Sequence, residues 1–377
     1  MSNGAAATSL SGRLILDDRV ASGRITIREG RIAEVDLDGG DLTGGGEPLI
    51  APGYVDVHVH GWGGHDAMGD HAALDGMARA LLRRGVTSFL PTAVSAPLPA
   101  LAAFAERVRA WLPEATPDGA EPLGLNLEGP FLAAPKRGAH DLAALLVPSE
   151  AARTDLEPLL DGLRLITIAP ELPGAPDLIR WFHDHGVTVS LGHSAATVDE
   201  ARAGYAAGAT GTTHLFNAMT GLDHRTPGLA LAALLDERAL VELIADGIHV
   251  HPGLWRLIER LKEPGRLVLV SDAVALAGTG DRVGRLGSLD VEIRGDRVTL
   301  AGTTTLAGSV LALDVAVRKL VEAGISIPAA IAAATRAPLA LLGITDRGRL
   351  AVGQRADIVE LDQNLSVRRV MRAGAWV

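Results

Sequence analysis

Two histidines two residues apart, His58 and His60, end the apolar run of GYVDVHVHGW. Residues at that spacing on a strand face the same side, so both imidazoles aim at one point. Four more side chains of metal-compatible type close other apolar runs. They are Glu128 in NLEGPF, His193 in SLGHSAAT, His214 in TTHLFNAM and Asp272 in VSDA. The chain has only twelve histidines, and four of them stand at such positions. Each alone reads equally well as an ordinary hydrogen-bonded residue. A convergence of all six reads differently, because buried ionisable groups cost free energy unless paired or coordinated. Imidazole and carboxylate without thiolate suit zinc, iron, manganese or cobalt, as one ion or two. Such an ion brings the pKa of a bound water down to roughly 7 and polarises a carbonyl, which is the chemistry of metal-assisted hydrolysis.

These residues need elements that bring them to one place. Eight short apolar runs, starting at 54, 86, 123, 163, 187, 210, 240 and 267, alternate with helical stretches such as 97–111, 175–185, 197–207 and 252–262. That alternation predicts βαβ units around a parallel sheet. Eight units point to an α/β fold of the TIM-type (β/α)8 kind, whose sites lie at the C-terminal strand ends; a doubly wound sheet is the alternative. Residues 289–302 read as a hairpin above the barrel. The two ends differ from the middle. Alternating segments with turns at Asp17-Asp18 and Glu29-Gly30, and a similar texture in 348–377, predict one small β-sandwich domain built from both termini. The expected division is 1–52 and 344–377 for that domain and 53–343 for the barrel.

Composition narrows the options. With 47% hydrophobic and 21% charged residues the chain is globular, and with 3% aromatics its core rests on Ala, Val, Leu and Ile. A net charge of −10 argues against nucleic acid as a partner. The absence of cysteine rules out disulfides, thiolate nucleophiles and Cys-based metal sites. MSNGAAATSL lacks the build of a signal peptide and reads as a loose tail. No apolar run approaches the length of a membrane span, so a cytoplasmic protein with no membrane partner is expected. The glycines of GWGG (61–64) and at 44–46 lack phosphate-loop context and read as turns.

The HxH after the first strand, histidines after the fifth and sixth, and an aspartate after the eighth resemble the amidohydrolase superfamily. Within it, LEGPF, KRGAH, GHSAAT, THLFNAM, ADGIHV, SDA and LAGS are similar to the N-acetylglucosamine-6-phosphate deacetylases, over about residues 12 to 375. The resemblance implies Glu128 as carboxylate ligand, His193 and His214 completing the shared metal site, and His58 and His60 serving a second ion. It implies Asp272 as catalytic acid and base, since Glu128 is committed to metal. It places Ala139, His140, Asn217, Ala218, Arg225, His249, Leu306 and Ala307 at the substrate, a phosphorylated amino sugar. It further implies a homodimer, with Arg225 and His249 near the neighbouring subunit's site.

Phosphate needs local positive charge in an acidic protein. Arg225, in LDHRTPG, offers a bidentate contact but reads equally as a solvated arginine. The amide of Asn217 and nearby backbone N–H groups suit an oxyanion. Lys136 and Arg137 are expected to be exposed loop charges. The implied activity is removal of the acetyl group from N-acetylglucosamine 6-phosphate, giving glucosamine 6-phosphate and acetate, in amino-sugar catabolism or cell-wall recycling. Alternatives are the same reaction on N-acetylgalactosamine 6-phosphate, another metal-dependent deaminase or cyclic-amide hydrolase, and a non-catalytic assembly protein of the same fold.

Overall fold

The computed structural model describes residues 7–37 and 46–377. Eight parallel strands lie side by side in chain order: Tyr54–Val59, Val86–Ala93, Leu125–Glu128, Leu163–Ile168, Thr188–Leu191, Gly211–Thr212, Leu240–Leu243 and Leu267–Leu269. Every residue of Tyr54–Val59 and Val86–Ala93 is buried. That is why these strands read as continuous apolar runs rather than alternating ones, as expected for parallel strands covered on both faces. The outer helices show a single apolar stripe. Ala175–Asp184 buries Ala175, Leu178, Ile179 and Phe182, a spacing that keeps one face on the sheet. Val198–Ala206 starts with a capping box between Thr197 and Glu200, which satisfies two otherwise unpaired N–H groups.

No strand ladder joins the first and eighth strands. Backbone bonds just beyond their ends close the gap: Asp272 N–H donates to His58 O at 2.9 Å, and His60 N–H donates to Ala273 O at 2.8 Å. Below these, Asp56 Oδ1 accepts from the N–H groups of His58 and Ser271, both at 3.3 Å. The seam is therefore stitched at the level of the candidate ligands.

The terminal strands expected to form a sandwich share a single seven-stranded mixed sheet. Its central strand, Leu49–Pro52, runs parallel to Thr8–Ile15 and antiparallel to Ile358–Leu361. Glu29 and Gly30, both at positive φ, make the turn between Val20–Arg28 and Arg31–Leu37. The last residues of the expected N-terminal tail, from Thr8, belong to the first strand; its first six, and the glycine run up to residue 45, lie outside the described residues. The hairpin at 289–302 is part of a three-stranded antiparallel sheet that begins at Val283–Leu286. Among the described residues no helix is long and apolar enough to cross a membrane.

Candidate metal centre and substrate cavity

All six strand-end residues meet. His58, His60, Glu128, His193, His214 and Asp272 are each at most 7% exposed and surround one point at the C-terminal mouth of the barrel. Glu128 is the hub. Its Oε1 lies 2.9 Å from His193 Nε2 and 2.8 Å from His214 Nε2, and its Oε2 lies 3.2 Å from His60 Nε2. Asp272 Oδ1 stands 3.2 Å from His60 Nε2 and 3.7 Å from His58 Nε2.

Which imidazoles offer a lone pair follows from what holds their other nitrogen. His60 Nδ1 faces Thr92 O at 3.1 Å, and His193 Nδ1 faces Lys136 O at 2.8 Å. His58 Nδ1 faces Glu242 Oε2 at 3.1 Å. Each of these partners only accepts, so each Nδ1 carries a proton and each Nε2 is the nitrogen turned inward, able to give a metal its lone pair. His58 Nε2, fully buried, has no hydrogen-bond partner among the described residues. Lone pairs directed at two carboxylates repel unless positive charge stands among them, so these residues fit divalent metal. Two groups, His58–His60–Asp272 and Glu128–His140–His193, are spaced to hold an ion each.

His140 is set apart within the second group. Its Nδ1 accepts the N–H of Ser95 at 3.1 Å, so Nε2 carries the proton and donates to Glu128 Oε2 at 3.1 Å. In that tautomer it is a donor at the edge of the centre rather than a lone-pair ligand, and His214 remains the partner of His193 on Glu128 Oε1.

The carboxylates dominate the local field, and without metal they keep a proton on His60 that a bound ion would displace. Burial raises the cost of a charged Glu128, yet His140, His58 and His193 outweigh it and hold the carboxyl well below its usual range. Burial alone would lower His60; Asp272 and Glu128 overcome it and push His60 up to about 9. His193 goes the other way, to about 4, because burial dominates there. The backbone is specialised too. His193, His214 and Asp272 sit at φ 47°, 27° and 49°, a left-handed region that ordinary side chains rarely adopt. Next to Asp272, Gly308 has φ 68°, and a Cβ there would meet Asp272 O at 2.8 Å, so only glycine permits that approach.

A cavity of about 490 Å³ opens over the centre, within the usual range of small-molecule sites. Ala139, His140, Asn217, Ala218, His249 and Leu306 line it. Ala307 is fully buried in an apolar cluster with Val94, Val274 and Val298, leaving its neighbours Leu306 and Gly308 on the cavity wall. His249 lines the cavity of its own chain, because Asp246 beyond the seventh strand holds its Nδ1 at 2.7 Å. The Asn217 amide nitrogen donates to His214 O and Leu215 O at 3.0 and 3.3 Å, so it is occupied by backbone. Arg225 is exposed in a turn organised by Asp223, outside the lining of its own cavity.

Lys136 and Arg137, expected to be exposed loop charges, also line the cavity; Arg137 is exposed there and Lys136 half-buried. A short 3₁₀ turn, Ala134–Lys136, folds this segment back over the site, and Lys136 Nζ donates to Met219 O at 3.2 Å. Their place directly before the GAH of KRGAH is the signal that could have found them. Glu242, behind His58, is the other residue the sequence reading passed over.

An amidohydrolase family model matches residues 49–377. The N-acetylgalactosamine-6-phosphate deacetylase of Escherichia coli O157:H7 is 39% identical, over 95% of this chain and 94% of the relative. The N-acetylglucosamine-6-phosphate deacetylase of Bos taurus is 38% identical, over 97% and 92%. A mutant N-acetyl-D-glucosamine-6-phosphate deacetylase from Mycobacterium smegmatis, solved in complex with N-acetyl-D-glucosamine-6-phosphate, superposes with a TM-score of 0.88 at 34% identity and covers 99% of each chain. The chain belongs to the amidohydrolase family, among its N-acetylglucosamine-6-phosphate deacetylases.

Proposed function

We propose that this protein hydrolyses the acetamide of N-acetylglucosamine 6-phosphate to glucosamine 6-phosphate and acetate. The observation that carries the reading is the two-ended cavity: inward-facing ligands at its floor, and Lys136, Arg137 and His249 on its wall. A substrate with an amide at one end and a phosphate at the other matches both. Bound divalent metal, with zinc the first choice, supplies an acidified water and an electrophile for the carbonyl oxygen. His58, His60, Glu128, His193 and His214 would hold it, as one ion or two. Asp272 takes the proton from water and delivers it to the departing amine nitrogen, so that the C–N bond breaks to a neutral leaving group. His140, a proton donor by tautomer, orients the substrate beside Glu128. Lys136, Arg137 and His249 hold the phosphate.

The same reading takes the working unit as a homodimer in the cytoplasm, with the exposed Arg225 reaching the phosphate in the neighbouring copy. The E. coli relative favours a second reading, the 4-epimer N-acetylgalactosamine 6-phosphate. Acetate release from both phosphorylated sugars and from unphosphorylated N-acetylglucosamine, with metal analysis, tests these. The expected result is the highest kcat/KM on N-acetylglucosamine 6-phosphate and little turnover without phosphate. Equal turnover with and without phosphate would remove the cationic wall from the account.

A further inference from the structure

Glu242 meets a candidate ligand, His58, from behind, at Nδ1, rather than from the cavity side. It lies within the seventh strand, Leu240–Leu243, between the apolar Val241 and Leu243, and is fully buried. A hydrophobic residue would satisfy that strand as well, and a buried carboxylate is costly unless something needs it. Its Oε2 accepts two hydrogen bonds: from His58 Nδ1–H at 3.1 Å and from the backbone N–H of His214 at 3.2 Å. Its Oε1 has no hydrogen-bond partner among the described residues. The first bond fixes the tautomer and the ring plane of His58, whose Nε2 is the buried nitrogen without a partner.

We propose that Glu242 is the positioning residue of the ion shared by His58, His60 and Asp272. It forms a carboxylate–histidine–metal relay, in which the carboxylate orients the ring and makes its inward nitrogen more basic. The three imidazoles are held differently. His60 and His193 rest on neutral backbone carbonyls, whereas His58 alone rests on a carboxylate. Glu242 acts on the ring of His58 but only on the backbone N–H of His214, so the ion at His58 gains most from it and the ion at Glu128, His193 and His214 gains less. Occupancy of the second position then depends on a residue that touches no substrate. This inference rests on the proposed metal centre and deepens it.

The test is metal content, read by elemental analysis after equilibration in graded chelator buffers, for the parent, His58→Ala, Glu242→Gln and Glu242→Leu. The parent should hold two ions and His58→Ala one. Outer carboxylates of this kind are typically worth about 10–100-fold in metal affinity. Glu242→Leu should lose the second ion by a factor near the top of that range. Glu242→Gln, which keeps an accepting oxygen but not the charge, should lose about tenfold. Both should keep the first ion. The proton resonance of His58 Nδ1–H, identified by its absence in His58→Ala, should move upfield in Glu242→Gln even in metal-free protein. Should the leucine variant not fold, the isosteric glutamine variant decides. Parental affinity for the second ion in Glu242→Gln, or equal weakening of both ions, overturns the proposal. A parent that holds one ion, unchanged by His58→Ala, overturns the two-ion centre itself.

Discussion

His193, His214 and Asp272 share a left-handed backbone as well as a cavity. Such conformations cost about 1–3 kcal/mol each and persist only where the surroundings impose them; here they turn strand-end side chains into the mouth of the barrel. Replacing His214 with Ala removes the imidazole 2.8 Å from Glu128 Oε1, a proposed metal ligand, without touching the barrel core. The expected outcome is loss of bound metal and of turnover, with a circular-dichroism melt close to the parent's. Retained metal in that variant would move the centre elsewhere. Asp272→Asn keeps shape and hydrogen-bonding capacity but cannot take a proton, so kcat should fall about 10²–10⁴-fold with KM little changed. A changed KM at parental kcat would make Asp272 a binding residue. The six convergent side chains were legible because strand ends are where a barrel places polar groups. Lys136, Arg137 and Glu242 were not. The first two depend on a turn that folds a loop back, and the third hides inside an apolar strand where a charge looks like an edge.

Helix packing supplies a pH-dependent feature away from the site. Lys262, just past the helix Pro252–Leu261, reaches the end of Leu229–Leu235 and donates to Ala233 O at 2.9 Å and Asp236 O at 2.6 Å. Burial brings its pKa down from 10.5 to about 8. Between those values the unfolded chain binds the extra proton, so this group makes stability rise with pH from about 8 to 10.5. The full effect is on the order of 3 kcal/mol. Lys262→Met should flatten that part of the curve, measured as the difference in urea midpoint between variant and parent from pH 7 to 10.5. Superimposable profiles would contradict it. The barrel strands themselves were readable because burial on both faces makes each a continuous apolar run. The sixth survives as only two residues, Gly211–Thr212, yet its neighbours fix its place. Val283–Leu286 was missed because its side chains are mostly unburied and carry no period.

Across the whole molecule, the terminal sheet is tied to the barrel by a partly buried charge network. Arg355 pairs with Glu121, which lies beside the second barrel strand, and its Nε stands 3.1 Å from Asp357. Arg347 Nη1 lies 3.3 Å from the same glutamate, and Arg372 Nη1 donates to Gly119 O at 2.7 Å. Asp357 is only 3% exposed, so stripping its main partner leaves a buried charge. Arg355→Leu should cost about 3–5 kcal/mol, seen as a lower urea midpoint. Adding Asp357→Leu should recover much of the loss, because the charge left behind is what costs. A single variant as stable as the parent would show that Arg347 alone neutralises Asp357.

The position of Leu49–Pro52 at the centre of that sheet also matters while the protein is being made. Its antiparallel partner, Ile358–Leu361, lies about 300 residues further along the chain. A ribosome adding about 5–20 residues per second needs about 15–60 s to cover that distance. Throughout that interval the edge of Leu49–Pro52 that pairs with Ile358–Leu361 in the folded protein lacks its partner, and an open edge is the kind of surface that recruits other chains. Pro52, which has no N–H to offer, shortens the open edge at one end. The sheet is thus begun first and finished last, and the barrel is synthesised inside the wait.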